Sequence, residues 1–285
     1  MKKPPTRKNV SIVALVDDCE ETYSVPIYYK TITFPSGEIG IEFDIAHNEP
    51  YEGVTIKINS VTTESIMELM FIGDYFRTRT KRLTLNMAFI PFARQDRETT
   101  PRHPFTLKTF AKLLNTIGFD EVECVTPHSN VPENLINNLV TIEPNLFPMF
   151  TRLYGFKYKG NDVILLAPDA GAEKRVYQQA SKLSKSGINI KDVVTMSKQR
   201  DPATGNIIGY RSPVNIPDNM HLLVLDDICD GGRTFIELAK VLPTKRKSLT
   251  LYVTHGIFSK GTDILKEAGY DNVSCYNDMR KDNIL

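Results

Sequence analysis

The sequence predicts an α/β chain of two doubly wound, parallel-sheet domains, on three observations. Apolar runs such as 222–225 (Leu-Leu-Val-Leu) lack the alternation of a half-exposed strand and suit one buried on both faces. Such runs alternate with amphipathic segments at helical spacing, as a parallel sheet with crossover helices requires. The rhythm occurs in both halves, and 285 residues suffice for two domains of ordinary size, divided here as 1–145 and 146–285.

Taken in order, residues 9–16 read as a first strand, 17–26 as polar chain, and 27–33 as an alternating, exposed strand. Phe34-Pro-Ser-Gly-Glu38 is a turn, followed by strands at 40–45 and 54–59. From Glu64 to Thr78 the period changes, with Ile66, Leu69, Met70, Ile72, Gly73 and Phe76 on one helical face. A strand at 83–91 leads through a polar loop, 94–103, to a helix at 105–117 stopped by Gly118. Residues 121–125 are a short strand, and 131–160 read as helical and irregular. The second half has strands at 162–166, 191–196, 222–226, 248–254 and 271–276, with helices near 171–184, 233–242 and 260–267. Residues 198–212 are polar, with Pro202, Gly205 and Gly209, and suggest a mobile loop. His128 and His255 each follow a strand, a short hint of internal duplication.

Composition narrows the function classes. With 41% apolar and 24% charged residues and a formal charge of +1, the chain is a soluble globular protein with no global electrostatic case for nucleic acid or membrane partners. The four cysteines, Cys19, Cys124, Cys229 and Cys275, are scattered, which argues for a reducing, cytoplasmic setting and against a disulfide framework or zinc site. The basic start is not followed by a signal-like apolar core, and no segment reaches 18 apolar residues.

The chemistry-bearing strings sit at strand ends, where open α/β sheets collect ligands. In Val224-Leu-Asp-Asp-Ile-Cys-Asp-Gly-Gly-Arg-Thr-Phe235 an apolar strand leads to an acidic pair, Asp226 and Asp227. Asp230, Gly231, Gly232, Arg233 and Thr234 then turn into a helix. The glycines let backbone N–H groups face a phosphate, and the carboxylates suit a ribose diol, directly or through a divalent metal. Arg94, Gln95, Asp96 and Arg97 offer a polyphosphate clamp or a solvated charge run. His128 is a candidate metal or phosphate ligand, and Asp169 either a magnesium ligand or a helix cap. Lys198 and Arg200, two apart on an extended segment, could close over a transferring phosphoryl group or form an ordinary basic loop.

These strings occur in register with Phe34-Pro-Ser-Gly-Glu38, Met67-Glu-Leu-Met70 and Thr254-His-Gly-Ile-Phe258. Together they resemble the ribose-phosphate pyrophosphokinases over roughly residues 27 to 276, within the type I phosphoribosyltransferase fold. The resemblance implies transfer of the β,γ-diphosphate of MgATP to the anomeric hydroxyl of a 5-phosphorylated ribose, with release of AMP, feeding nucleotide or NAD synthesis. It implies ATP binding by Arg94, Gln95, Asp96, Arg97 and His128, with Phe34, Ser36 and Glu38 reaching the adenine from a neighbouring subunit. By the same resemblance His128 and Asp169 hold Mg2+, Lys198 and Arg200 act on the transferring group, and Asp226 to Thr234 hold the ribose phosphate. A homo-oligomer, dimer or hexamer, is implied as well.

The sequence departs from the family pattern in places. Ser36 replaces a usual aspartate, and the chain ends at Leu285, where a terminal helix is expected to be reduced or missing. The loop Asp230-Gly-Gly-Arg-Thr234 replaces Asp-Thr-Ala-Gly-Thr or Asp-Thr-Gly-Gly-Thr. An arginine there suits an acceptor with a second phosphate, so ribose 5-phosphate and ADP-ribose both stand as acceptors. A type I phosphoribosyltransferase and an inactive regulatory homologue remain as other readings.

Overall fold

The computed structural model describes residues 10–18, 21–45, 51–58, 62–155, 158, 160–200 and 207–280, and the chain divides into two compact units, Met1–Glu143 and Pro144–Leu285. Cys19, the basic N-terminus, Pro202 and Gly205 lie outside the described residues.

The first unit is built on seven strands: β1 (Val10–Asp18), β2 (Glu21–Thr33), β3 (Ile39–Asp44), β4 (Tyr51–Ile58), β5 (Thr80–Met87), β6 (Glu121–Val125) and β7 (Leu139–Ile142). They form one sheet of order β3-β2-β1-β4-β5-β6-β7. The β4-β5-β6-β7 half is parallel, as expected, while β1, β2 and β3 extend it antiparallel. Helices α1 (Thr63–Arg77) and α2 (Thr106–Ile117) join with alternate strand residues in one core. Leu69, Ile72 and Phe76 of α1 are buried there with Phe110 and Leu114 of α2 and with Ile56, Leu85 and Val122 of the sheet. The Thr62 hydroxyl and the Ser65 side chain form a reciprocal cap that starts α1, and Gly118, at φ 75°, ends α2.

The short helix α3 (Val131–Leu135) precedes β7, a strand where the sequence suggested only helical and irregular chain. Leu139-Val-Thr-Ile142 is rich in β-branched residues but has only four positions, too few to show a period. It is a strand because β6 offers its free edge, with Cys124 opposite Thr141. The expected strand 83–91 is also corrected: β5 begins at Thr80 and stops at Met87. The segment after it turns through Phe92, which holds a positive φ of 61° and packs its ring on Phe110.

Asp120 ties this unit together. Its Oδ2 accepts from the Leu83 N–H at 2.7 Å and from Arg77 Nη1 at 2.8 Å. Those bonds, the backbone one foremost, hold the carboxyl below its ordinary 3.8. A depressed folded pKa stabilises above the unfolded pKa, and that stability is lost as pH falls through the folded value. Asp120→Asn should therefore lower the melting temperature at pH 7 by about 3 °C, from about 1 kcal/mol of exposed charge-assisted bonding. Thermal melts in acid should show the gap closing below pH 3.8.

The second unit begins with β8 (Val163–Ala167) and β9 (Asp192–Thr195). A hairpin of β10 (Ser197–Arg200) and β11 (Ile207–Arg211) follows, and then β12 (His221–Cys229), β13 (Ser248–Gly256) and β14 (Asn272–Asp278). Its main sheet is five-stranded and all parallel, of order β14-β13-β12-β8-β9. Helices α4 (Phe147–Tyr154) and α5 (Ala170–Lys185) cover one face with Val163, Leu165, Leu223 and Leu225. Helices α6 (Arg233–Ala239) and α7 (Asp263–Glu267) cover the other with Ile164, Leu166, Leu222 and Val224. Consecutive residues thus enter opposite cores, which explains why the strands read as unbroken apolar runs. The hairpin lies where residues 198–212 were expected to be a loop, with Lys198 opposite Tyr210. Polar composition concealed it because such a two-stranded ribbon needs cross-strand bonding more than an apolar face.

Candidate active site

The strand order of the second unit creates its ligand position. The chain leaves β8 for β9 on one side and returns to β12 on the other, so β8 and β12 flank a topological switch point. Asp169 follows β8, and the acidic pair lies near the end of β12, so both reach the same end of the sheet.

Asp169 divides its two oxygens. Oδ1 caps α5, accepting from the Gly171 N–H at 2.8 Å and the Ala172 N–H at 3.3 Å, so the capping role is realised. Oδ2 accepts from Lys198 Nζ, which arrives from the hairpin. Both side chains are mostly covered, so this ion pair is less screened than a surface one. The Arg200 side chain lies outside the described residues.

Asp226 Oδ1 accepts from the Asp227 N–H at 2.8 Å. Desolvation first, and then the neighbouring Asp227 charge, push the Asp226 carboxyl well above the usual carboxylate range. Arg175 brings Nη1 from α5 to 3.8 Å from Asp227 Oδ1. A hard dication sharing its shell with a sugar diol would relieve the carboxylate repulsion, so this donor set fits magnesium. Among the described residues no three His, Cys, Asp or Glu side chains form a self-sufficient metal cage.

The turn after β12 runs through Gly232 at φ 74°, where a Cβ would also lie 3.2 Å from Leu265. The positive φ favours glycine, and any Cβ would also ask the Leu265 side chain to give by a few tenths of an ångström. Among the described residues, the N–H groups of Gly231, Arg233 and Thr234 meet no backbone carbonyl. They remain as donors for an anion. Helix α6 is shorter than expected, ending at Ala239 instead of 242, so the loop amides matter more here than a helix dipole. Arg233 is exposed, and the Lys260 stem lies beside Gly231. Arg175 and Lys260 escaped the sequence reading. Arg175 follows Asp169 by six residues on an amphipathic helix, a signal that looks like surface charge until β12 is placed beside it.

In the first unit the expected nucleotide residues also sit at strand ends. Arg94, Gln95 and Arg97 are exposed after β5, and Arg97 Nε lies 3.5 Å from Asp96 Oδ1. His128 is exposed after the neighbouring β6. Its counterpart in the duplication hint, His255, is fully buried in β13. Phe34, Ser36 and Glu38 occupy the tip of the β2–β3 hairpin, closed by Phe34 N–H to Glu38 O at 2.8 Å. The Ser36 hydroxyl donates to Glu38 there, and half of the Phe34 ring is exposed.

Comparison with known proteins agrees in both units. Residues 15–118 match the N-terminal domain of ribose phosphate pyrophosphokinase, and residues 150–274 match the phosphoribosyl transferase domain. A ribose-phosphate pyrophosphokinase of Agrobacterium fabrum is 30% identical over 246 residues, covering 84% of this chain and 75% of that protein. The chain belongs to the ribose-phosphate pyrophosphokinase family. A pyrophosphokinase of Granulibacter bethesdensis is 27% identical over 70% of this chain and 62% of its own length. The phosphoribosylpyrophosphate synthetase of Mycobacterium smegmatis shares the fold, with a TM-score of 0.69 at 23% identity over 87% of this chain and 79% of that one. Among the described residues, no helix of this family member is long and apolar enough to cross a membrane.

Proposed function

We propose that this pyrophosphokinase-family chain transfers the β,γ-diphosphate of ATP to the anomeric hydroxyl of a 5-phosphorylated ribose. The observation that carries the reading is the switch point of the second unit, with its acidic pair, glycine loop and Lys198–Asp169 pair. The Asp230–Thr234 loop takes the 5-phosphate, and Asp226 and Asp227 take the ribose hydroxyls. Arg94, Gln95, Asp96, Arg97 and His128 hold ATP, with Phe34, Ser36 and Glu38 of a second copy against the adenine.

The anomeric oxygen bonds to the β-phosphorus as the bond from that phosphorus to the α-phosphate oxygen breaks. AMP leaves with that oxygen, and the hydroxyl proton passes to solvent. His128 of the first unit and Asp169 of the second are each proposed as a magnesium ligand, and magnesium would neutralise phosphate charge when bound. Lys198 exchanges Asp169 for a phosphoryl oxygen as charge spreads over the transferring group, with Arg200 beside it. Phosphoryl transfer asks mainly for such positioning and neutralisation.

The acceptor is ribose 5-phosphate or ADP-ribose. The exposed Arg233 and the nearby Lys260 supply cations for a second phosphate, which supports the larger one. Incubation with MgATP and each acceptor, followed by AMP measurement, tests both. AMP should rise at least tenfold over the ATP-only blank with one of them. AMP at blank level with both acceptors would end the proposal.

A further inference from the structure

Tyr210 lies on β11, directly across from Lys198 on β10. Opposed residues of an antiparallel pair share one face, so the phenol and the ammonium leave the hairpin on the same side. The Tyr210 side chain is 4% exposed and its ring joins the core formed by Phe235 and Leu238 of α6. The hydroxyl, however, has no hydrogen-bond partner among the described residues. The Thr234 side chain lies near it without closing a bond of ordinary geometry. Its other charged neighbours are Lys198, Asp169 and Asp226. A buried phenol without a hydrogen-bond partner among the described residues thus lies in the neighbourhood of groups from the switch point.

An orphaned buried hydroxyl is destabilising, and native folds keep few of them without a ligand, a water or a strained function to explain them. Nothing in the packing demands the oxygen, since phenylalanine would fill the same core space. The neighbourhood is mixed in charge: the Lys198 ammonium stands across the strand and Thr234 beside the hydroxyl, with the Asp169 and Asp226 carboxylates as further neighbours that a bound phosphate would have to offset through Lys198 and the loop amides. A phenol is a good donor there, because its ring is fixed by the core and little freedom is lost on binding.

We infer that Tyr210 is a substrate-contacting residue whose hydroxyl donates a hydrogen bond to the 5-phosphate of the ribose acceptor. This rests on the proposed function for the identity of the acceptor, though not for the phosphate contact itself. The ester phosphate is common to ribose 5-phosphate and ADP-ribose, so the contact does not choose between them. It also seats the hairpin: once phosphate bridges Thr234 and Tyr210, Lys198 is held over the same ligand.

The test is Tyr210→Phe in the full chain, with three readouts. The melting temperature without ligand should be unchanged or slightly higher, because only an unpaired polar atom is removed. The melting shift given by ribose 5-phosphate or ADP-ribose, without ATP, should largely disappear. In turnover, KM for the acceptor should rise about tenfold or more while KM for ATP stays within about twofold, as expected for one lost charge-assisted bond. A lower melting temperature with unchanged acceptor affinity would make Tyr210 a packing residue and overturn the inference. So would a loss confined to KM for ATP. If wild type binds an acceptor but releases no AMP, the proposed reaction falls. The phosphate contact then stands or falls on whether Tyr210→Phe abolishes that binding.

Discussion

Lys198→Ala should lower turnover about a thousandfold while weakening MgATP binding only a few-fold. Lys198 Nζ is positioned by Asp169, and its side chain is only 20% exposed, so in the proposed reaction it would meet the transferring group in a partly dehydrated setting. Preorganised donors of this kind, when removed singly, cost about a hundredfold to a thousandfold in rate, since they act where charge develops. In the proposed reaction ground-state ATP is held by Arg94 and Arg97, which are exposed after a strand of the first unit. The loss should therefore fall on kcat. Steady-state kinetics with either acceptor, beside nucleotide titration, separates the two effects. Turnover within about threefold of wild type would remove Lys198 from the machinery.

Asp226→Asn should abolish about 99% of activity or more, yet leave the ligand-free protein at least as stable as wild type. Asp226 is half-buried beside the buried Asp227, and each charge raises the cost of the other. An amide keeps the shape, removes one negative charge, and can still accept from the Asp227 N–H. What it loses is the second anionic oxygen that, in the proposed reaction, a sugar diol or a hard cation would need. Melting in a chelating buffer and turnover with magnesium should thus move in opposite directions, the usual signature of a site kept at the expense of stability. A fall in both would recast the pair as structural.

The legible part of the fold was the part governed by local pattern. Strand 121–125 was readable to the residue because Val122 and Cys124 alternate with Glu121 and Glu123. The helix ending at Gly118 was readable because a left-handed residue there needs glycine. Four residues were too few to reveal β7, and the β10–β11 hairpin was hidden by its polar composition.

The candidate site divides the same way. Asp169, Lys198, Asp226 and the glycine loop stood out because each follows an apolar strand, and parallel strands send their carboxyl ends to one side. That placement belongs to the sequence alone. Which of them meet was decided by tertiary structure: β12 enters beside β8, Lys198 reaches Asp169 across 29 residues, and Arg175 comes to face Asp227. Tyr210 shows the limit most clearly, since nothing in Gly-Tyr-Arg marks a phenol left without a partner in a core. Strand order and burial are sums over many distant contacts, and no local window of residues carries them.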